Sequence, residues 1–481
     1  MNIKNATIHI KNTLSAYLTK DESGEYIIPV AKQRPIFLYG PPGIGKTAVM
    51  EQIAEELNIG IVSYSMTHHT RQSAIGLPFI TKKKFGETEF DVSEYTMSEI
   101  LASVYEYIEK TGKKEGILFL DEINCVSETL APSMLRFLQY KSFGSHEVPK
   151  GWVVVTAGNP PEYNRSVRAY DIATLDRIKK IDVDADYDVW RQYALNQGVH
   201  PAIIAYLDVK NSDFYIIENT PDGKFFVTAR GWEDLSRIMH LFEDKGFPVD
   251  LSLIEQYIQV ASVAADFADY YETFKKIGEI YSPDDILEGK TNQQLCEKLK
   301  DCTISEKLGF INLLSNTVSS ELYEPVIQSK LLKKTVQLIK EQKLLEKTKQ
   351  DFISTIYEIT NADNEPSAKG KYDLYNYLKK ITEILNNYDD DTLSAIKAFL
   401  QNEAQRLNAD VNKKQSKLIN ATRFIDNVFG DSPEKQIFVS DITLTEKSAE
   451  FLIMFGCQGF TELTDSSFNC TEAIKEIEKL I

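Results

Sequence analysis

The sequence predicts an α/β fold, a doubly wound parallel sheet of five strands, followed by a small helical lid and a large, mostly α-helical C-terminal region. Three observations predict it. A glycine-rich stretch, Gly40-Pro41-Pro42-Gly43-Ile44-Gly45-Lys46-Thr47, separates an apolar run at 35–39 from an amphipathic helical pattern at 48–57. Further apolar runs then alternate with helical patterns as far as about residue 183, which is how a parallel sheet is built. From Leu251 onward the apolar spacing is almost wholly helical.

At 481 residues the chain has room for two to four domains, and the pattern suggests 1–185, 186–250 and 251–481. With 43% hydrophobic and 26% charged residues it has the composition of an ordinary globular protein. There is no apolar run of about 18 residues and no signal-like start, so a cytoplasmic protein without a membrane span is expected. Cys125, Cys296, Cys302, Cys457 and Cys470 are scattered and odd in number, which suggests neither a disulfide framework nor a CxxC metal site. A net charge of −17 makes nucleic acid an unlikely partner, because sequence-independent binding rests on neutralising phosphates. The best local basic face lies at 325–350, where seven lysines meet Glu341 and Glu346, and it reads first as a solvated helix face.

Taken in order, residues 8–17 read as a helix and 25–29 as a short strand. The apolar run at 35–39 and the glycine stretch then have the strand–loop–helix context of a P-loop. Its glycines, with Pro41, Pro42 and Ile44 between them, let successive N–H groups face one anion, and Ala48 continues into the helix. Lys46 would reach the outer phosphates, and the Thr47 hydroxyl would meet Mg²⁺. A second strand, 59–65, leads to His68 and His69; neighbouring side chains point apart, so these read as loop or helix-start residues rather than metal ligands.

Residues 76–92 read as a β-hairpin inside a helical crossover, and helix resumes at 97–110. The third strand, 116–120, ends in Asp121 and Glu122, where Asp121 would hold Mg²⁺ and Glu122 would orient the attacking water. After a helix at 128–140 and a polar excursion at 143–149 comes a fourth strand, 152–157, which ends at Asn159, an amide placed to bind the water or the γ-phosphate. A helix at 171–177 ends in Arg177, and the fifth strand is 180–183. Helices at 187–196 and 200–208 follow, and Arg230 opens another.

Farther on, Leu331, Leu338, Leu345, Phe352 and Ile359 recur every seven residues, as do Ala404, Val411, Leu418 and Ile425. Two long helices near 325–360 and 390–430 with such stripes would pack at a shallow angle, with 360–371 as a flexible connection and Lys414 as the one break in the second stripe. Without further chemistry this region reads as a helical bundle. A strand at 437–439 and helices at 446–455 and 471–480 close the chain, where Cys457 and Cys470 read as small buried apolar residues.

These pieces resemble an AAA+ ATPase over the first 240 or so residues, and within that group the MoxR family. The resemblance rests on GPPGIGKT, on ILFLDE, on Asn159 in TAGNP as sensor 1, on Leu175-Asp176-Arg177 and on Thr228-Ala229-Arg230 as the sensor 2 segment. The hairpin at 76–92 resembles the helix-2 insertion of that clade. One departure is Thr-Ala-Arg where the family often has Ser-Pro-Arg; another is that the chain beyond Leu251 matches no placed family.

The resemblance implies ATP and Mg²⁺ at the interfaces of a homo-oligomeric ring, expected to be a hexamer. Lys46, Thr47, Asp121, Glu122 and Asn159 would serve the nucleotide within one subunit. Arg177 would reach the neighbour's γ-phosphate, with Arg168 as a rival for that role, and Arg230 would sense the γ-phosphate from the lid. It also implies a remodelling or chaperone-like ATPase acting on a partner protein, one with a von Willebrand factor A domain. The alternatives are a nucleic-acid-associated motor of restriction type and a nucleotide-switched scaffold.

Overall fold

The computed structural model describes residues 1–68, 71–144, 146–163, 167, 170–220, 223–290, 293–341 and 392–464. Contacts divide the chain into two compact units: 1–190 with 212–235 and 256–260, and 191–211 with 236–255 and 261–481.

The first unit begins with α1 (Ile3–Tyr17), whose Asn2 side chain caps it by accepting the Asn5 N–H. Then follow β1 (Ile36–Tyr39), α2 (Lys46–Glu56), β2 (Gly60–Ser65), α3 (Arg71–Ile75), β3 (Pro78–Phe85), β4 (Thr88–Tyr95), α4 (Glu99–Thr111), β5 (Gly116–Asp121) and α5 (Ala131–Tyr140). A short pair, β6 (Ser142–Phe143) and β7 (His146–Glu147), precedes β8 (Trp152–Gly158), α6 (Ile172–Leu175) and β9 (Lys179–Asp182).

Five strands make one parallel sheet in the order β2-β5-β8-β1-β9. Alternate residues of each strand face opposite ways, and both faces are covered. Leu118, Leu120 and Val154 join a core with α4 and α5, while Ile117, Phe119, Val153 and Val155 join one with α1 and α2. Continuous apolar strands, rather than alternating ones, are what that double burial requires.

Next along the chain come α7 (Tyr187–Gln197), α8 (Pro201–Val209), β10 (Ile216–Thr220), β11 (Gly223–Val227) and α9 (Ala229–Lys245). The antiparallel β10–β11 pair has no counterpart in the sequence-based expectation. α10 (Leu251–Ile254), α11 (Ala261–Ile280), α12 (Pro283–Leu287), α13 (Gln293–Asp301), α14 (Ile304–Glu341), α15 (Thr392–Phe429), α16 (Pro433–Leu444), α17 (Glu446–Phe455) and α18 (Gln458–Thr464) complete the described chain.

The second unit is helical throughout its described residues. Its core gathers Phe310, Leu314, Val318, Leu322, Leu400, Leu407, Leu418 and Ile425, with Phe438 and Phe451 from α16 and α17. α14 therefore packs against α15, α16, α17 and α8 at once, as the centre of a bundle. Lys414, the break in the stripe, lies in the α14–α15 seam. Its side chain is only 9% exposed, and its ammonium is held by Glu321 at 2.7 Å and Glu324 at 3.3 Å.

Three local expectations are corrected. Residues 25–29 are not a strand; Lys20 and Tyr26 form a single bridge, and the Asp21 carboxylate closes a turn by accepting the Ser23 and Glu25 N–H groups. Residues 437–439 lie inside α16, because Ser432 caps its start, Pro433 fits its first turn, and Phe438 and Ile442 bury one face. Helix and cap chemistry outweigh a three-residue run of strand formers. Also, α14 starts at Ile304 and runs through Pro325 rather than beginning near it. His69, Arg168, Cys470, the stripe residues Leu345, Phe352 and Ile359, the connection at 360–371 and the helix expected at 471–480 lie outside the described residues.

Candidate nucleotide site

The order β5-β8-β1 brings the carboxyl ends of three strands side by side, and each delivers part of the predicted site. β1 runs into the loop 40–45, β5 ends at Asp121 and β8 ends one residue before Asn159. Open parallel sheets bind ligands at such ends, where the strand order reverses.

The loop holds its shape by close packing and by left-handed backbone. A Cβ on Gly40 would lie 2.3 Å from the Val183 carbonyl oxygen, so the backbone of the segment after β9 excludes any side chain there. Gly45 opens α2 at φ 87°, a conformation that favours glycine. The first N–H groups of α2 have no intrahelical partners and carry its positive dipole end, which suits an anion.

Lys46 is buried, and its ammonium donates to the Gly40 carbonyl at 2.9 Å, the Pro41 carbonyl at 2.7 Å and Asn159 Oδ1 at 2.9 Å. Burial is the largest influence on its acidity. Asp121 and Glu122 pull back and Arg230 adds repulsion, leaving the pKa lowered to about 8. The Thr47 hydroxyl donates to Asp121 Oδ2 at 2.9 Å. Asp121 Oδ1 accepts the Glu122 N–H at 2.8 Å, and Glu122 itself adopts φ 55°, rare outside glycine and typical of strained functional turns. A hydroxyl beside a carboxylate is a hard oxygen set of the kind Mg²⁺ takes. A buried ammonium, a glycine cradle and a helix N-terminus fit a polyphosphate. Residues and ligands therefore match in chemistry.

Three residues join the site that spacing alone did not single out. Ser65, at the end of β2 beside β5, donates its hydroxyl to Glu122 Oε2 at 3.2 Å. Asn124 is buried and donates Nδ2–H to the Asn159 carbonyl at 2.8 Å, which ties the turn after β5 to the end of β8. Tyr215 donates its hydroxyl to the Pro42 carbonyl at 2.8 Å. A Cβ on Gly43 would press on Thr228 at 3.1 Å, so the residue that joins β11 to α9 packs directly on the loop.

Arg230 is exposed at the start of α9, near enough to Lys46 to repel its charge. Ala48 is exposed in the first turn of α2. Arg177 lies elsewhere. It is exposed just before β9, hence at the amino end of the parallel sheet, the end opposite Asp121 and Asn159.

Fold and site together define a P-loop nucleotide-binding domain. Residues 36–167 match the model of the ATPase family associated with various cellular activities (AAA), which supports an ATP-hydrolysing motor domain in this stretch. A search of curated proteins returns no match. No helix among the described residues is long and apolar enough to cross a membrane.

Proposed function

We propose that the chain is an ATP-hydrolysing motor of the MoxR type that works as a ring, expected to be a hexamer, and remodels a partner protein carrying a von Willebrand factor A domain. The observation that carries the ATPase part is the convergence of Lys46, Thr47, Asp121, Glu122 and Asn159 at adjoining strand ends. In this reading Thr47 and Asp121 would hold Mg²⁺, which would supply neutralisation of the phosphate charge. Glu122 polarises the attacking water, Lys46 and Asn159 hold the γ-phosphate, and Arg230 reports its presence to α9. Arg177, at the far end of the sheet, serves the neighbouring subunit.

The β3–β4 hairpin supports a protein client. Phe79, Phe85 and Phe90 share one of its faces by register and are 44%, 60% and 51% exposed. The test is a pull-down with Glu122→Gln protein in ATP and in ADP, with a von Willebrand factor A domain protein as prey. Capture in ATP and release in ADP is expected, because a ligand shifts an equilibrium only through differential affinity. Equal capture in both states sinks the remodelling reading.

A further inference from the structure

The second unit holds a cluster that the ATPase chemistry does not use. His200 caps α8, while His240 and Glu243 stand three residues apart on α9 and so share one helix face. Among the described residues, these three alone bring a ligand atom each to within 4.8 Å of one another. We propose that His200, His240 and Glu243 form a binding site for one zinc-class divalent cation, with the fourth position left to water.

Two imidazoles and a carboxylate with one open position are a recognised zinc donor set. His200 Nε2 stands 3.1 Å from both Glu243 oxygens, so two of the three donors already meet at close to ligand–ligand separation. Outer contacts orient two of the ligands. The Tyr271 hydroxyl donates to Glu243 Oε1 at 2.6 Å, and His240 Nε2 lies 3.2 Å from the Gly198 carbonyl. A proton on that Nε2 leaves the other ring nitrogen as a lone pair, the usual arrangement behind a metal-bound histidine.

One interaction opposes loading. His200 Nδ1 accepts the Ala202 N–H at 3.1 Å, which puts the ring proton on Nε2. A cation at Nε2 displaces that proton, moves it to Nδ1 and forfeits the cap. A single cap is small beside metal–ligand bonds, so the cation wins, and binding releases or relocates protons. The loaded site would clamp the start of α8 to the second half of α9.

The test uses the full chain, stripped with a chelator and titrated with ZnCl₂ against a chromophoric competitor. One zinc per chain is expected, with affinity falling at least about 10²-fold in His240→Ala and at least about 10-fold in Glu243→Gln. Co²⁺ should give visible absorption bands in the parent protein that both variants lose, while circular dichroism shows them folded. His68→Ala/His69→Ala should bind as the parent does. Less than about one-tenth of an equivalent of zinc on the parent, unchanged binding in His240→Ala and Glu243→Gln, or loss confined to the His68/His69 variant would each overturn the proposal.

Discussion

The Lys46 ammonium and the Asn159 amide oxygen are hydrogen-bonded at 2.9 Å, so the amide at the end of β8 is held by the lysine of the loop. A γ-phosphate entering the site would compete for that ammonium and free Asn159 to bind phosphate or water. Asn159→Ala should therefore leave ATP affinity within about threefold and lower kcat by about 10- to 10²-fold, an effect on the transition state rather than on uniform binding. Steady-state ATPase kinetics beside equilibrium binding separate the two.

The lowered Lys46 pKa has a calorimetric consequence. With the free group at about 8, the ammonium is partly neutral above pH 7. Bound phosphate favours the charged form and raises the pKa, so binding takes up protons. Uptake should be near zero at pH 6.5 and about half a proton at pH 8. Titrations in buffers of different ionisation enthalpy measure it, and Lys46→Arg should abolish the rise.

Glu122→Gln should bind ATP with Mg²⁺ while hydrolysis falls at least about 10²-fold. Ser65→Ala removes the hydroxyl that restrains the Glu122 carboxylate. It should lower kcat by about 2- to 10-fold with KM for ATP unaltered, since the site contact it removes is the one to Glu122. Phosphate-release assays on both variants check this.

The position of Arg177 at the amino end of the sheet predicts action on another subunit. Arg177→Ala should bind ATP and hydrolyse it about 10³-fold more slowly. Mixing it with Lys46→Ala subunits should restore part of the activity, since each supplies what the other lacks. A failure to restore, with an equal loss in Arg168→Ala, would assign the role to Arg168.

Lys414 illustrates how a buried charge is tolerated. Glu321→Ala leaves it with Glu324, which is more exposed, and should weaken the α14–α15 seam by about 1–3 kcal/mol. Lys414→Met strips the ammonium from Glu321 and Glu324 and should weaken the seam in the same direction, whereas replacing the charged partners together by apolar residues should be neutral or stabilising. Hydrogen exchange along α15 reads the seam directly.

Much of the candidate site's arrangement was legible because its determinants are local. The glycine spacing, the acids that end an apolar strand and the amide that ends the next all sit within a few residues of the element that positions them. Five alternating runs also predicted the parallel sheet. Ser65, Asn124 and Tyr215 were not legible, since their roles depend on β2 lying beside β5 and on contacts across long stretches of chain. The β10–β11 pair had a readable signal, Pro221-Asp222-Gly223 between Ile216-Ile217 and Phe225-Phe226, though the polar residues inside its strands masked it. His200 and His240 were invisible for a different reason, as forty residues separate them and only the fold brings them together.

Gly40 has a bearing on how degenerate relatives of such a loop should be read. The carbonyl of Val183 forbids a side chain there whether or not a phosphate is ever bound. A protein that drifted away from nucleotide chemistry would be free to replace Lys46 and Thr47, yet would keep this glycine to fold at all. A surviving first glycine is thus a record of the sheet's architecture, whereas loss of the lysine is a record of lost function.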